Sequence, residues 1–267
     1  MRRLLAVLLI LSVVVASPAL GAKARRSRRS QRITDAQFLK LCEEGDEQKI
    51  IDAIKKGANV NAKDSDGWAA LLYVLLSNKN IEIINAFINA GADVNIRDSI
   101  GLTVLMLVLR DYSDSPNKLA LVNTLLKAGA DVNANIPNTH WSVLMVAVMF
   151  NHNPEIITKL IEAGANINAK DNLGSTPLID ATRFNSNPEI INVLLKAGAN
   201  VNDEDNRGYT ALTWAVMKYA HIKSSLEKIN ALLDAGAHVD RLTLNYARDN
   251  DKLAGSDALK RLEELSK

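Results

Sequence analysis

Residues 171–202 read DNLGSTPLIDATRFNSNPEIINVLLKAGANVN, and this stretch decides the fold. Its last five residues match the pattern Gly-Ala-(Asn/Asp/His)-(Val/Ile)-(Asn/Asp), which the chain contains six times. The six copies begin at Gly57, Gly91, Gly129, Gly164, Gly198 and Gly236, with intervals of 34, 38, 35, 34 and 38 residues. A second mark follows each of the first five copies; it reads GWAAL from Gly67, GLTVL from Gly101, HWSVL from His140, GSTPL from Gly174 and GYTAL from Gly208. Self-similarity at this period predicts a solenoid, because each short unit needs a neighbour to bury its apolar side.

A single unit also predicts its own helix boundaries. In Asn187-Pro188-Glu189, the asparagine side chain is suited to accept from the free N–H groups at a helix start. Proline fits the first helical turn, and glutamate faces the positive end of the helix dipole. Apolar residues within 190–195 then recur at the spacing of one helix face. Gly198 supplies the left-handed residue that ends the helix.

These residues resemble the ankyrin repeat, whose pattern is D-x-x-G-x-T-P-L, two short helices and then G-A-D-V-N. The resemblance extends over Thr34–Lys267 and implies an all-α solenoid of helix-turn-helix units joined by hairpin-like loops, with about seven helix pairs including both caps. The additional residue between the helices, as in NSNPEI, is similar to ankyrin proteins of bacteria. The expected boundaries are a cap at 34–66, repeats at 67–100, 101–139, 140–173, 174–207 and 208–241, and a cap at 242–267.

Three positions depart from the regular repeat. The units that begin at Gly101 and Gly208 run 28 residues to the next Gly-Ala, where the standard units have 24. We expect a longer loop at 113–117 in the first and one additional helical turn within 217–228 in the second. His140 stands where the other hairpins have a turn glycine, so we expect that hairpin to be distorted.

Charge divides the chain into a basic head and an acidic body. Residues 1–33 contain eight Lys and Arg and no Asp or Glu, whereas the rest contains 24 basic and 30 acidic residues, a net charge of −6. The body therefore lacks the concentrated positive face that nucleic-acid binding needs, and no nucleic-acid partner is expected. The apolar fraction of 48% and the charged fraction of 23% exclude a wholly disordered or collagen-like chain.

The N-terminal 22 residues have the layout of a secretory signal peptide. Two arginines precede an apolar run over 4–16, and Pro18 and small residues follow. Cleavage is expected after Gly21 or Ala22, which predicts a periplasmic or secreted protein. The alternative is an uncleaved inner-membrane anchor over 4–22, because these nineteen uncharged residues are just long enough to span a bilayer.

The next segment, residues 23–33 (KARRSRRSQRI), is predicted to be a disordered basic linker, since it has almost no apolar residue to bury. A weak contact of residues 23–32 with an anionic membrane is the alternative.

The sequence contains no motif for catalysis, cofactors or metals. None of the motifs HExxH, GxSxG, GxGxxG, DxDxDG or the phosphate-binding loop occurs. The four histidines, His140, His152, His221 and His238, match no metal-binding motif, and metal ligands must converge in space. The single cysteine, Cys42, excludes an intramolecular disulfide and is expected to be a buried, inert thiol. We therefore predict a protein that is not an enzyme and holds neither a cofactor nor a metal.

The resemblance implies that a partner protein binds the concave face, which is made of the hairpin tips and the first helix of each pair. The first position after the turn glycine reads Trp68, Leu102, Trp141, Ser175 and Tyr209. Aromatic and methionine side chains in a groove are typical anchors for recognition. The predicted partner-binding residues are Trp68, Leu102, Trp141, Tyr209, Met149, Phe150, Arg183, Phe184, Met217 and Lys218. In the alternative interpretation, Trp68, Trp141 and Phe150 fold back onto the hairpins or core; Tyr73 and Trp214 are expected inside the core.

These observations predict an exported, monomeric protein–protein interaction module that recognises its partner through a rigid groove. Two alternatives remain at this stage. One is an envelope scaffold tethered by an uncleaved N-terminal anchor, and the other is a secreted effector directed at a host protein.

Overall fold

The computed structural model of the protein describes residues 33–77, 80–111, 117–217 and 222–267. Fourteen helices lie within these ranges: α1 (Asp35–Glu44), α2 (Glu47–Lys55), α3 (Ala70–Ser77), α4 (Ile81–Asn89), α5 (Val104–Asp111), α6 (Lys118–Lys127), α7 (Val143–Phe150), α8 (Pro154–Glu162), α9 (Pro177–Phe184), α10 (Glu189–Lys196), α11 (Ala211–Val216), α12 (Ile222–Asp234), α13 (Arg241–Arg248) and α14 (Asp257–Leu265). The signal peptide and most of the basic linker predicted above lie outside the described residues.

The helices form seven pairs that stack in chain order, which confirms the predicted all-α repeat solenoid. Each first helix contacts the first helix of the next pair, from α1 on α3 to α11 on α13. Most second helices do the same, as α8 does with α10. Two of the inner first helices, α3 (ALLYVLLS) and α7 (VLMVAVMF), are short and almost wholly apolar, because neighbours cover them on both sides. Six residues of α7 are fully or nearly fully buried.

Helix ends follow the predicted capping. Asn153 accepts from the backbone N–H of Glu155 at 2.9 Å with Pro154 at the first helical position, and Asn187 accepts from Glu189 at 3.0 Å. The outermost helices are capped as well, since Thr34 forms a capping box at α1 and Ser256 accepts from Leu259 at 3.2 Å at α14.

Neighbouring repeats are joined by a recurring asparagine bridge. The Nδ2 of Asn133 donates to the carbonyl of Gly164 at 2.9 Å, and its Oδ1 accepts from the N–H of Asn166 at 2.8 Å. The last residue of the Gly-Ala pattern therefore satisfies two backbone groups of the following unit. Equivalent pairs of bonds recur at Asn61, Asn95 and Asn202.

One irregular unit has the extra helical turn predicted for it. α12 has 13 residues where α8 has nine, a difference of one turn. The predicted longer loop of the other unit falls between α5 and α6 and lies mostly outside the described residues. In the parts of the chain that the structure describes, no helix is both long and apolar enough to cross a membrane.

Candidate functional site

The surface of interest, called here the hairpin face, consists of the loops that join the repeats and the ends of the first helices beside them. In four of these loops, an aspartate side chain accepts hydrogen bonds from two backbone N–H groups of the same loop. In the loop before α5, the Oδ1 of Asp98 accepts from the N–H groups of Ile100 at 3.0 Å and Leu102 at 2.9 Å. Asp64, Asp171 and Asp205 make the same pair of bonds in their loops.

The loop before α7 departs from this scheme, as the sequence predicts. The bridge Asn135–Ser142 encloses six residues, one more than the bridge Arg97–Thr103. Ile136 occupies the place of the aspartate, so the carboxylate bonds are lost. His140 adopts φ 57°, and it is the only non-glycine with positive φ in the described ranges. A side chain held in this left-handed region is strained, and such strain clusters at functional sites.

An apolar groove of about 370 Å³ lies against this irregular loop. Its lining comprises Ile100, Leu102, Arg110, Ile136, Asn138, Thr139, Trp141, Val146 and Phe150. Ile100 is 43% exposed and Phe150 is 37% exposed, so the groove presents apolar surface to solvent. The two loops that border it touch directly, because a Cβ at Gly101 would lie 2.5 Å from the Cδ of Pro137. Gly101 is therefore required for this close approach, and its φ of 88° adds to the requirement.

The aromatic residues at the first position of each repeat are half-buried and held in place. The indole Nε1 of Trp141 donates to the Oδ2 of Asp171 at 3.2 Å. The ring of Tyr209 meets the ring of Trp214 edge-on at 5.5 Å, and its hydroxyl lies 3.0 Å from the hydroxyl of Tyr246. Trp68 also packs partly against the core. These side chains are rigid parts of the hairpin face with one side in solvent.

Three expectations about burial are corrected by the structure. Leu102 is only 2% exposed, so it forms the floor of the groove and offers a partner almost no surface of its own. Tyr73 and Trp214 are half-buried on the hairpin face and do not lie inside the core. Each side chain has a polar atom that needs a hydrogen-bond partner, and a loop carboxylate provides it. The Tyr73 hydroxyl donates to Asp64 at 2.5 Å, and the Trp214 Nε1 donates to Asp205 at 3.0 Å.

The ends of the first helices add further apolar and basic groups. Phe184 is 52% exposed, while Met149 and Met217 are half-buried. Arg183 is half-buried, and its guanidinium carbon lies 4.0 Å from the ring centroid of Trp214 and 4.6 Å from that of Phe184. Lys218 lies outside the described residues.

A buried carboxylate sits below this part of the face. Asp180 is 2% exposed; its Oδ1 accepts from the Ser175 hydroxyl at 2.7 Å, and its Oδ2 has no hydrogen-bond partner among the described residues. Burial raises the pKa of Asp180 to about 6, with a smaller upward contribution from Asp171, while the Ser175 hydrogen bond and the charge of Arg183 lower it.

Several lining residues were absent from the sequence prediction. Ile100, Ile136 and Val146 line the groove but do not stand at the first position of a repeat. One signal was available for Ile100, because an isoleucine at the tip of a tight turn is exposed unless a partner covers it. Leu173, at the same place one loop beyond the irregular one, is 59% exposed.

Cys42 is fully buried, as predicted, and burial raises the pKa of its thiol to about 12, which keeps it protonated and unreactive at neutral pH. Within the described ranges, no group of three or more His, Cys, Asp or Glu side chains converges as a metal site.

Stacked helix pairs joined by hairpins, with a face of loops and helix ends, define a helical repeat protein. The family model for ankyrin repeats (3 copies) matches residues 38–136 and 144–243. These segments make up most of the chain, so the protein belongs to the ankyrin repeat family. Ankyrin repeats are generally protein–protein interaction modules, and the family is generally non-catalytic. A comparison with curated proteins finds no match.

Proposed function

We propose that the protein is an exported, non-catalytic interaction module that binds one partner protein through the hairpin face. The apolar groove between the loops at 98–102 and 136–141 is the observation that supports this assignment most directly. A fold of this kind needs no solvent-exposed Ile100 or Phe150 for its own stability. Apolar groups that remain exposed in a groove with aromatic walls are typical of an anchor pocket for a partner side chain.

The geometry of the groove favours a role in binding a partner over a role in packing between repeats. It lies where the loop pattern breaks, with a longer loop, no closing aspartate and a strained His140. Regular loops in the same chain close without these features. The irregular loop therefore lowers the local stability, and a role in binding would explain why the loop is irregular.

A binding experiment with matched variants tests the proposal. The double change Ile100→Ser and Phe150→Ser removes the exposed apolar groups without touching buried side chains. Leu242→Ser is the control, because Leu242 is 38% exposed but lies on the C-terminal helix pair. A partner captured from the envelope and culture fluid should bind the wild type and the control equally. The double variant should lose about 2 kcal/mol or more, a factor of about 30 in Kd. Equal binding by all three proteins would place the interface elsewhere.

Export is the second part of the proposal and rests on the sequence layout of residues 1–22. Intact-mass measurement of the protein from its native source should give a chain that begins at Ala22 or Lys23. A mass that includes the N-terminal 22 residues would instead support the tethered scaffold.

A further inference from the structure

The second notable group on the hairpin face is Arg183, one repeat beyond Phe150. Its guanidinium carbon lies over the ring of Trp214, 4.0 Å from the ring centroid, and over the ring of Phe184 at 4.6 Å. Contact with two aromatic rings restricts the motion of the guanidinium and does not use its N–H groups as hydrogen-bond donors. Among the described residues, no acceptor forms a hydrogen bond or ion pair with these N–H groups.

The charged groups near Arg183 do not neutralise it by contact. Asp180 senses the charge of Arg183, but it is buried and bonded to Ser175, and among the ion pairs of the described residues there is none between the two. Asp171 is occupied by the indole of Trp141 and by the loop N–H groups. An arginine with five donors is always protonated, and this one is half-buried without an acceptor among the described residues. Such a side chain is suited to bind an acceptor from outside the chain.

We propose that Arg183 receives the carboxylate of an acidic side chain on the partner segment whose apolar side chain occupies the groove at Phe150. This assignment rests on the proposed function and adds the chemistry of the partner. The carboxylate would accept two hydrogen bonds from the guanidinium fork, which is stronger than a contact with a single point charge. Because the stack already orders the arginine, little side-chain entropy is lost on binding.

The repeat geometry also sets the spacing within the partner. Phe150 and Phe184 occupy the same position in adjacent repeats, and their helices α7 and α9 pack directly on each other. Packed helices lie about 8–10 Å apart, and an extended chain advances about 3.3 Å per residue. Side chains two residues apart point to the same side of an extended chain and stand about 7 Å apart, close to this distance. An extended partner segment would therefore present its apolar and acidic side chains two residues apart.

A cationic partner is the competing assignment, since Asp180 has an unpartnered carboxylate oxygen. That oxygen is buried below the surface of the face, so a ligand cannot reach it without displacing the side chains above. The two assignments predict opposite effects of Asp180→Asn. Removing this negative charge should tighten the binding of an acidic segment about two- to fivefold and weaken that of a basic one.

The experiment is a selection of displayed random 12-residue peptides on the purified protein, followed by Kd measurements on synthetic winners by fluorescence polarisation. The wild type should enrich peptides with an acidic residue two positions from a large apolar one. Arg183→Gln should weaken these peptides about tenfold or more and abolish the acidic preference in a repeated selection. Arg183→Lys, which keeps the charge but not the planar stack, should fall between the two.

The outcomes separate this proposal from the one it rests on. If Phe150→Ser abolishes binding while Arg183→Gln leaves Kd and the selected motif unchanged, the groove assignment stands and the Arg183 assignment is wrong. Enrichment of basic peptides that weaken in Asp180→Asn would also overturn it. If the protein enriches no peptide at all, the proposed function fails together with it. Thermal unfolding of each variant confirms that lost binding does not reflect lost folding.

Discussion

At the scale of single residues, the buried carboxyl group of Asp180 lowers the stability of the fold when it is ionised. Its carboxylate is buried with one oxygen unpartnered, and burial raises its pKa from 3.8 to about 6. A buried group that prefers to be neutral binds a proton in the folded state at a pH where the unfolded chain has already lost it. The free energy of unfolding should therefore fall as the pH rises from about 4 to about 6, and stay lower above pH 6.

The variant Asp180→Asn isolates this effect, because the amide does not titrate. Between pH 4 and pH 7 the wild type should lose about 2–3 kcal/mol relative to the variant, as the pKa shift implies. Urea unfolding of both proteins across this range measures it. All other titrating groups are common to the two proteins, so parallel curves would show that Asp180 is solvated in the folded state.

The burial of individual side chains was the part of the site that the sequence did not predict. The spacing of the repeats places Leu102 and Trp141 at the same position, yet Leu102 is 2% exposed and Trp141 is half-buried. Position in a repeat determines which face a side chain points to; its depth depends on side-chain size and on available hydrogen-bond partners. Tyr73 and Trp214 lie outside the core for this reason, since each donates a hydrogen bond to a loop aspartate.

At the scale of helices and loops, the local sequence predicts the structure far better than it predicts the burial of single side chains. Asn-Pro-Glu predicts the start of α8, and the Gly-Ala pattern predicts the end of each second helix, because capping depends on a few adjacent residues. The distortion at His140 was predictable too, since only one residue type enters the left-handed region without strain. The groove could not be predicted from the sequence, because it requires two loops of different repeats to touch at Gly101 and Pro137.

The irregular loop offers a test of stored strain. Replacing His140 by Gly should relieve about 1–2 kcal/mol of left-handed strain and add about 0.5–1 kcal/mol of unfolded-state entropy, for a net stabilisation of about 0.5–1 kcal/mol. The matched control is Asn138→Gly, two residues earlier in the same loop with ordinary φ, which should destabilise by about 0.5–1 kcal/mol. Denaturant unfolding of both variants shows whether each change raises or lowers the free energy of unfolding. A destabilised His140→Gly protein would mean that the imidazole makes contacts worth more than the strain.

At the scale of the whole molecule, stability comes from the interfaces between neighbouring units. Each unit contacts only those beside it, and side chains of one unit complete the next. The last pair shows this most clearly. The Asn250 Nδ2 donates to the carbonyl of Val216 at 2.9 Å, and the hydroxyls of Thr243 and Thr213 lie 2.8 Å apart. The C-terminal pair α13 and α14 therefore covers apolar and polar groups of α11 and α12.

Removing residues 242–267 should expose that surface. The truncated chain loses the buried Leu244, Leu253 and Leu262, each worth about 1.5–3 kcal/mol, and gains part of this back as conformational entropy of the deleted segment. A net loss of about 3 kcal/mol or more should lower Tm by about 10 °C and promote association through the exposed α11 and α12. Deleting only Ser266 and Lys267, which follow α14, is the control and should leave Tm within about 1 °C. Calorimetry and size-exclusion chromatography measure both effects, and an unchanged Tm in the long truncation would mean that the preceding repeats are stable without a cap.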